Sequence, residues 1–218
     1  MKKILLSLFA AMFFSAQAFA AGAVERWADF EHELRRGNYT SAEAELKAKN
    51  LIEQLAEQFK HFPGESAVRT FPVEGYKLAN VERPARFLNT LAASQNETNF
   101  FASDRFAQSN YLRFNVIDPR AQEKGDANMV AAAAGIVVFV RKGSFGGGNY
   151  VWVFNPNQNL FYYYGNLKDI FVKLGEVVQP GQRIATIRPA KKGYPVHFTV
   201  LRFDRGDFSI YNFIDQLP

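Results

Sequence analysis

The chain has 218 residues, no cysteine, and 26 basic against 21 acidic side chains. With no disulfide to staple it, its stability must come from a packed core, and 48% hydrophobic residues can build one at this length. Setting Lys2 and Lys3 apart lowers the formal charge from +5 to +3, which excludes the strongly basic surface expected of a nucleic-acid binder.

Residues 1–20 read as a secretory signal: Lys2 and Lys3 form the charged start, Ile4 to Phe14 the apolar run, and Ala18-Phe-Ala20 a small-residue cleavage site. No later run approaches the roughly 18 to 20 apolar residues of a membrane span, and no cysteine follows the cleavage site to carry a lipid. The expectation is an exported chain beginning at Ala21, with the periplasm preferred over full secretion and no membrane span.

Residues 21–66 are expected to form a helical N-terminal arm. Gly37-Asn38 breaks it into two helices, Thr40-Ser-Ala-Glu43 has the form of a capping box, and Leu51, Leu55, Phe59 and Phe62 make one apolar stripe. A stripe without sustained heptads argues for a helical hairpin packed on the main domain rather than a long coiled coil. A partner-binding arm is the other reading.

Residues 67–218 change to short runs rich in β-branched and aromatic residues, and a mainly β, antiparallel sandwich or barrel follows. Strands are expected at Ile136–Val140, Tyr150–Phe154, Leu160–Tyr164, Gly181–Ile187 and His197–Phe203, with one more around Leu112–Ile117 in the otherwise loop-rich Val81–Asp126 segment. Gly143-Ser-Phe-Gly-Gly-Gly148 lacks the Lys-Ser/Thr and the helix of a phosphate loop, so it reads as a hairpin turn.

Several pieces, in this order, resemble the lysostaphin/LytM-type zinc metallopeptidases (the duplicated hybrid motif), which cleave peptide cross-links of bacterial cell walls. They are Phe71-Pro-Val-Glu-Gly-Tyr76, Ala134-Gly-Ile-Val-Val138, Gly148-Asn-Tyr-Val-Trp-Val153, Tyr164-Gly-Asn-Leu167, Val172-Lys-Leu-Gly-Glu-Val-Val-Gln-Pro-Gly-Gln-Arg-Ile184 and Val196-His-Phe-Thr-Val200. The resemblance implies a barrel-sandwich hybrid of the LytM type, with zinc on the floor of a groove and two catalytic histidines beside it. Three protein ligands would hold the metal and leave a fourth position for a water of lowered pKa.

Carried over position by position, the resemblance finds few of those groups. Tyr111 and Asn115 stand where the first two ligands would be, and His197 where the third would be. Asn166 and Pro195 stand at the two catalytic histidines. No histidine occurs between His61 and His197, so no shift of alignment recovers one. A neutral phenol and an amide are poor donors to a zinc dication. The expectation is therefore a pseudoenzyme with no cofactor; zinc would return only if His32, His61 or Asp118 rewired the site.

An emptied groove can still bind. Tyr162, Tyr164 and Tyr194 are candidates for its aromatic lining, beside Tyr163 and Trp152, and Arg188, Lys191 and Lys192 for a basic rim that attracts peptide carboxylates. Strand alternation sets Tyr162 and Tyr164 on one face and Tyr163 on the other. The leading expectation is a non-catalytic module that binds peptidoglycan peptide or activates or recruits a wall hydrolase. An active zinc endopeptidase and a structural accessory of an envelope or secretion complex are the alternatives.

Overall fold

The computed structural model describes residues 22–34, 36–64, 69–77, 81–82, 112–116, 127–143, 148–189, 194–204 and 207–211, with backbone alone for 41, 81–82, 112–116 and 207–210. The signal-like segment 1–20, Tyr111, Asp118, Lys191 and Lys192 lie outside them.

Two helices open the chain, α1 over 22–34 and α2 over Ser41–Gln58. The capping box of α2 is present: Thr40 Oγ1 accepts from the Glu43 amide, and the Thr40 amide donates back to the Glu43 carboxylate at 2.8 Å. That bond from the Thr40 backbone holds the Glu43 carboxyl below its usual range.

Ten antiparallel strands follow among the described residues: β1 (Val81–Glu82), β2 (Leu112–Val116), β3 (Asn128–Val130), β4 (Gly135–Arg141), β5 (Asn149–Asn155), β6 (Leu160–Ile170), β7 (Val177–Val178), β8 (Arg183–Ile187), β9 (Tyr194–Asp204) and β10 (Asp207–Ile210). The main path across the sheet runs β1-β2-β9-β6-β5-β4-β7. β10 adds to β9, and β8 links β6 to β3. Every strand expected from the sequence is present, although β8 starts at Arg183 rather than Gly181 and β6 and β9 are longer than expected. β1, β3, β7 and β10 were not foreseen; each is only two to four residues long, too short to show a period.

The sheet is apolar on both faces. Val151, Val153, Tyr162, Tyr164, Val196, Phe198 and Val200 point to one side and pack with Met129, Val178 and Ile184 from β3, β7 and β8. Trp152, Phe154, Phe161, Tyr163, Leu201 and Phe203 point to the other, where Trp27 and Phe30 of α1 and Leu51, Ile52 and Leu55 of α2 cover them. The Trp27 ring stacks on Phe161 with centroids 5.0 Å apart. The arm is thus a hairpin packed on the main domain, and the helical cover shares one core with the sheet.

The Val172–Ile184 run makes two tight turns, with Gly175 and Gly181 both at φ 80°. Their amides donate to Val137 and Ala131 carbonyls at 2.7 and 2.8 Å, which ties this run to β4 and the residues before it. A side chain at either position would adopt a backbone conformation that L-residues rarely take.

Candidate functional site

The helix-covered face carries near its edge a row of residues that crosses five strands. Arg141 pairs with Tyr150, whose ring lies 5.4 Å from that of Tyr163. Tyr163 lies over Gly165: a Cβ on that glycine would stand 2.6 Å from the Tyr163 hydroxyl and from its ring edge. Gly165 pairs with His197, and His197 pairs with Arg113 of β2. His197 and Pro195 are half-buried on β9, and the register sets Asn115 opposite Pro195. Directly opposed residues of an antiparallel pair share a face, so Arg113, Asn115, Gly165, Pro195 and His197 belong to one face.

Asn166 joins this group by a different route. β6 carries one extra residue against β5 between the Asn149–Leu167 and Val151–Tyr164 pairs, and at this bulge Asn166 takes a φ of 59°. Asparagine tolerates that left-handed conformation better than most residues. Its side-chain amide donates to the carbonyls of Pro195 at 2.6 Å and Arg188 at 3.2 Å, while its own carbonyl accepts from the Arg188 amide at 2.8 Å. Both side-chain N–H groups are committed to the backbone, so Asn166 fastens the end of β8 to the start of β9 and stands beside His197 as a structural tie.

Of the positions where the resemblance expects metal or catalytic groups, the structure therefore gathers Asn115, Asn166, Pro195 and His197 on the backbone, and Tyr111 lies outside the described residues. These groups do not fit a zinc site: Asn166 offers donors already in use, Pro195 has no side-chain donor or acceptor, and His197 is a single imidazole. Among the described residues no three His, Cys, Asp or Glu side chains converge. His32 packs edge-on against Phe139 at 5.1 Å and His61 is exposed at the end of the helical arm.

The aromatic lining expected from the sequence needs correcting. Tyr162 and Tyr164 have no exposed surface, and Tyr194 retains 6%. All three belong to the core on the opposite face from His197, so none can present a ring to a ligand. The alternation itself holds, since Tyr163 is on the helix side. The Tyr164 hydroxyl accepts from the Ala132 amide at 2.9 Å, and burial pushes its phenol above the ordinary value. A polar tip that finds a backbone partner explains how a tyrosine is tolerated there.

Arg188 is exposed; Lys191 and Lys192 lie outside the described residues. Arg141 was missed by sequence reasoning. Its signal was a cation closing a strand immediately before the glycine-rich turn.

An antiparallel β half-barrel with its N-terminal helices on one face and the Tyr-Gly-Asn and Pro-Val-His positions at that face's edge is the class of domain defined here. The LytM-type resemblance holds: residues 117–207 match the model of Peptidase family M23. No curated protein matches the chain. Among solved structures, a mutant catalytic domain of the prophage-encoded M23 protein EnpA from Enterococcus faecalis is 25% identical over 39% of this chain and 65% of its own, with a TM-score of 0.32. The chain thus spans just under two thirds of that domain. A chain of the SpoIIIAH–SpoIIQ complex is 19% identical, over 67% of this chain and 98% of its own, with a TM-score of 0.43. A putative glycyl-glycine endopeptidase lytM from Ruminococcus gnavus is 12% identical, over 78% and 70%, with a TM-score of 0.45.

Proposed function

We propose that the chain is an exported, non-catalytic LytM-like domain that binds peptidoglycan peptide or positions a wall hydrolase. The carrying observation is Asn166. It occupies the position at which the resemblance expects a catalytic histidine, and its donors are spent on the Pro195 and Arg188 carbonyls. A general base must be within hydrogen-bond reach of a substrate proton, and an amide that only donates to backbone carbonyls cannot serve. The helical hairpin adds support, because it packs on Trp152, Phe161, Tyr163 and Leu201 of the face to which His197 belongs and so occupies much of that face. Periplasmic residence is part of the proposal and rests on the signal-like start of the sequence.

The test is sedimentation of the purified chain with isolated wall sacculi, followed by analysis of the supernatant for released peptides with and without added zinc. Co-sedimentation without release is expected. Chelator-sensitive release of peptides would establish an active endopeptidase instead, and failure to sediment would remove direct wall binding.

A further inference from the structure

We infer that the turn before β7 and the outer edge of that strand form a docking site for an extended segment of a partner protein, one with apolar side chains beside a carboxylate. Among the described residues four large apolar side chains are exposed, and three of them, Phe171 at 53%, Leu174 at 40% and Val177 at 44%, fall within one run of seven residues. The polar groups of this run are spent on holding it in shape. The Glu176 amide donates to the Lys173 carbonyl at 3.1 Å and closes the turn, while the Glu176 carboxylate accepts from the Lys173 amide at 3.0 Å and from Gln182 Nε2 at 3.1 Å. The Phe171 amide donates to the Ile184 carbonyl at 2.9 Å. A turn closed in this way brings Lys173 and Glu176 within about 7 Å of each other, so Phe171 and Val177 stand on adjoining limbs with Leu174 at the tip. A segment fixed by so many bonds loses little freedom when its apolar side chains are covered.

The strand edge, the area and the charge identify the occupant. β7 ends the sheet path, on the far side of β4 from β9 and His197, and it pairs with β4 alone. The Val137 amide donates to the Glu176 carbonyl at 2.8 Å, and strand alternation then turns the amide and carbonyl of Val177 away from β4. Among the described residues no strand meets them on that side. In lipid these two groups would go unpaired, whereas an added peptide strand satisfies both. At roughly 150–200 Å² per large apolar side chain, the three residues leave about 200–270 Å² in water. That falls well short of the ~800 Å² each partner gives to a stable interface, so the turn suits a short strand rather than a second copy of the chain. Lys168 and Asp169 pair with each other at 3.9 Å, and exposed Lys173 makes no ion pair among the described residues. A carboxylate on the docked strand complements that ammonium.

The experiment titrates the mature chain at low salt, followed by NMR, with a capped heptapeptide of alternating valine and threonine that carries aspartate at its centre. Amide signals of residues 171–178 should shift. The same peptide with N-methylated valines should bind about tenfold more weakly or worse, because it cannot donate to the strand edge. Phe171→Ser and Leu174→Ser should each weaken binding by about tenfold. Val177→Pro removes the outward amide without touching a bond to β4 and should do the same. Lys173→Gln should abolish the preference for aspartate over asparagine at the peptide's centre, and Arg36→Gln, remote on the helical hairpin, should change nothing. All these side chains are exposed, so thermal melts should show the variants folded. No binding of the heptapeptide, shifts confined to other residues, or equal binding by the serine variants would each overturn the inference. So would concentration-dependent dimerisation abolished by Leu174→Ser, which would make a second copy the occupant, or flotation with anionic phospholipid vesicles abolished by it, which would make the occupant a membrane.

Discussion

Replacing Asn166 tests whether it is a structural tie. Asn166→Gly keeps the left-handed φ of 59° at no steric cost but deletes both side-chain hydrogen bonds. The bond to the part-buried Pro195 carbonyl contributes about 1 kcal/mol, and the one to the exposed Arg188 carbonyl, which water can replace, about 0.5 kcal/mol. Asn166→Ala loses the same bonds and adds roughly 1 kcal/mol for a Cβ held at that φ. At about 2–4 °C per kcal/mol for a domain of this size, the glycine variant should melt about 3–6 °C below the parent and the alanine variant about 5–10 °C below. Asn166→Asp keeps the shape but turns an acceptor toward two carbonyl oxygens. Repulsion raises its folded-state pKa, so its deficit should be full at neutral pH and shrink as pH falls and the acid protonates. Thermal melts at pH 7 and pH 4 provide the measurement. A glycine variant within about 0.5 kcal/mol of the parent, or an aspartate variant no worse than glycine at pH 7, would refute the tie.

Other substitutions probe the cover and the sheet. Trp27→Ala, which removes a 3%-exposed indole stacked on Phe161, should cost about 3–5 kcal/mol in urea denaturation, and a loss under 1 would mean the hairpin is loosely held. Gly165→Ala should cost about 1–3 kcal/mol, because the new methyl must displace a Tyr163 ring wedged between Tyr150 and Trp152; near-UV circular dichroism should report that movement. Thr40→Ala removes a cap and should cost about 1 kcal/mol by the same denaturation. Glu43 has its pKa lowered below the ordinary 4.5 by the Thr40 backbone bond, so its contribution is present above that value and is lost as pH falls through the folded pKa. The melting-temperature gap between parent and Glu43→Ala should therefore be constant near neutrality and close in acid.

What was legible in the sequence and what was not divides along physical lines. The capping box and the long strands announce themselves through local chemistry, and Tyr164-Gly-Asn-Leu and Pro-Val-His through their resemblance to a motif. The role of Asn166 was not legible, since its partners at Arg188 and Pro195 lie 22 and 29 residues away and the bulge that creates its φ depends on β5. The burial of Tyr162 and Tyr164 was missed for a related reason. A tyrosine in a strand carries an amphipathic tip, and only the third dimension shows that the Tyr164 tip meets the Ala132 amide.

The position of the helical cover, by contrast, was implicit in the strands themselves. A strand with one face in water alternates apolar with polar, whereas Tyr150-Val-Trp-Val-Phe154 and Leu160-Phe-Tyr-Tyr-Tyr164 are apolar at every position. Such strands need a layer on each side. β3, β7 and β8 supply one, and the other must come from elsewhere in the chain; the Leu51, Leu55 and Phe62 stripe is the apolar surface available before the sheet begins. The cover ends where the strand pattern turns polar or loses its side chain, at Arg141, Gly148, Gly165 and His197. The same change of pattern that releases the helices marks the edge where Asn166 and His197 stand, so the limit of the hairpin and the location of the candidate site have one cause.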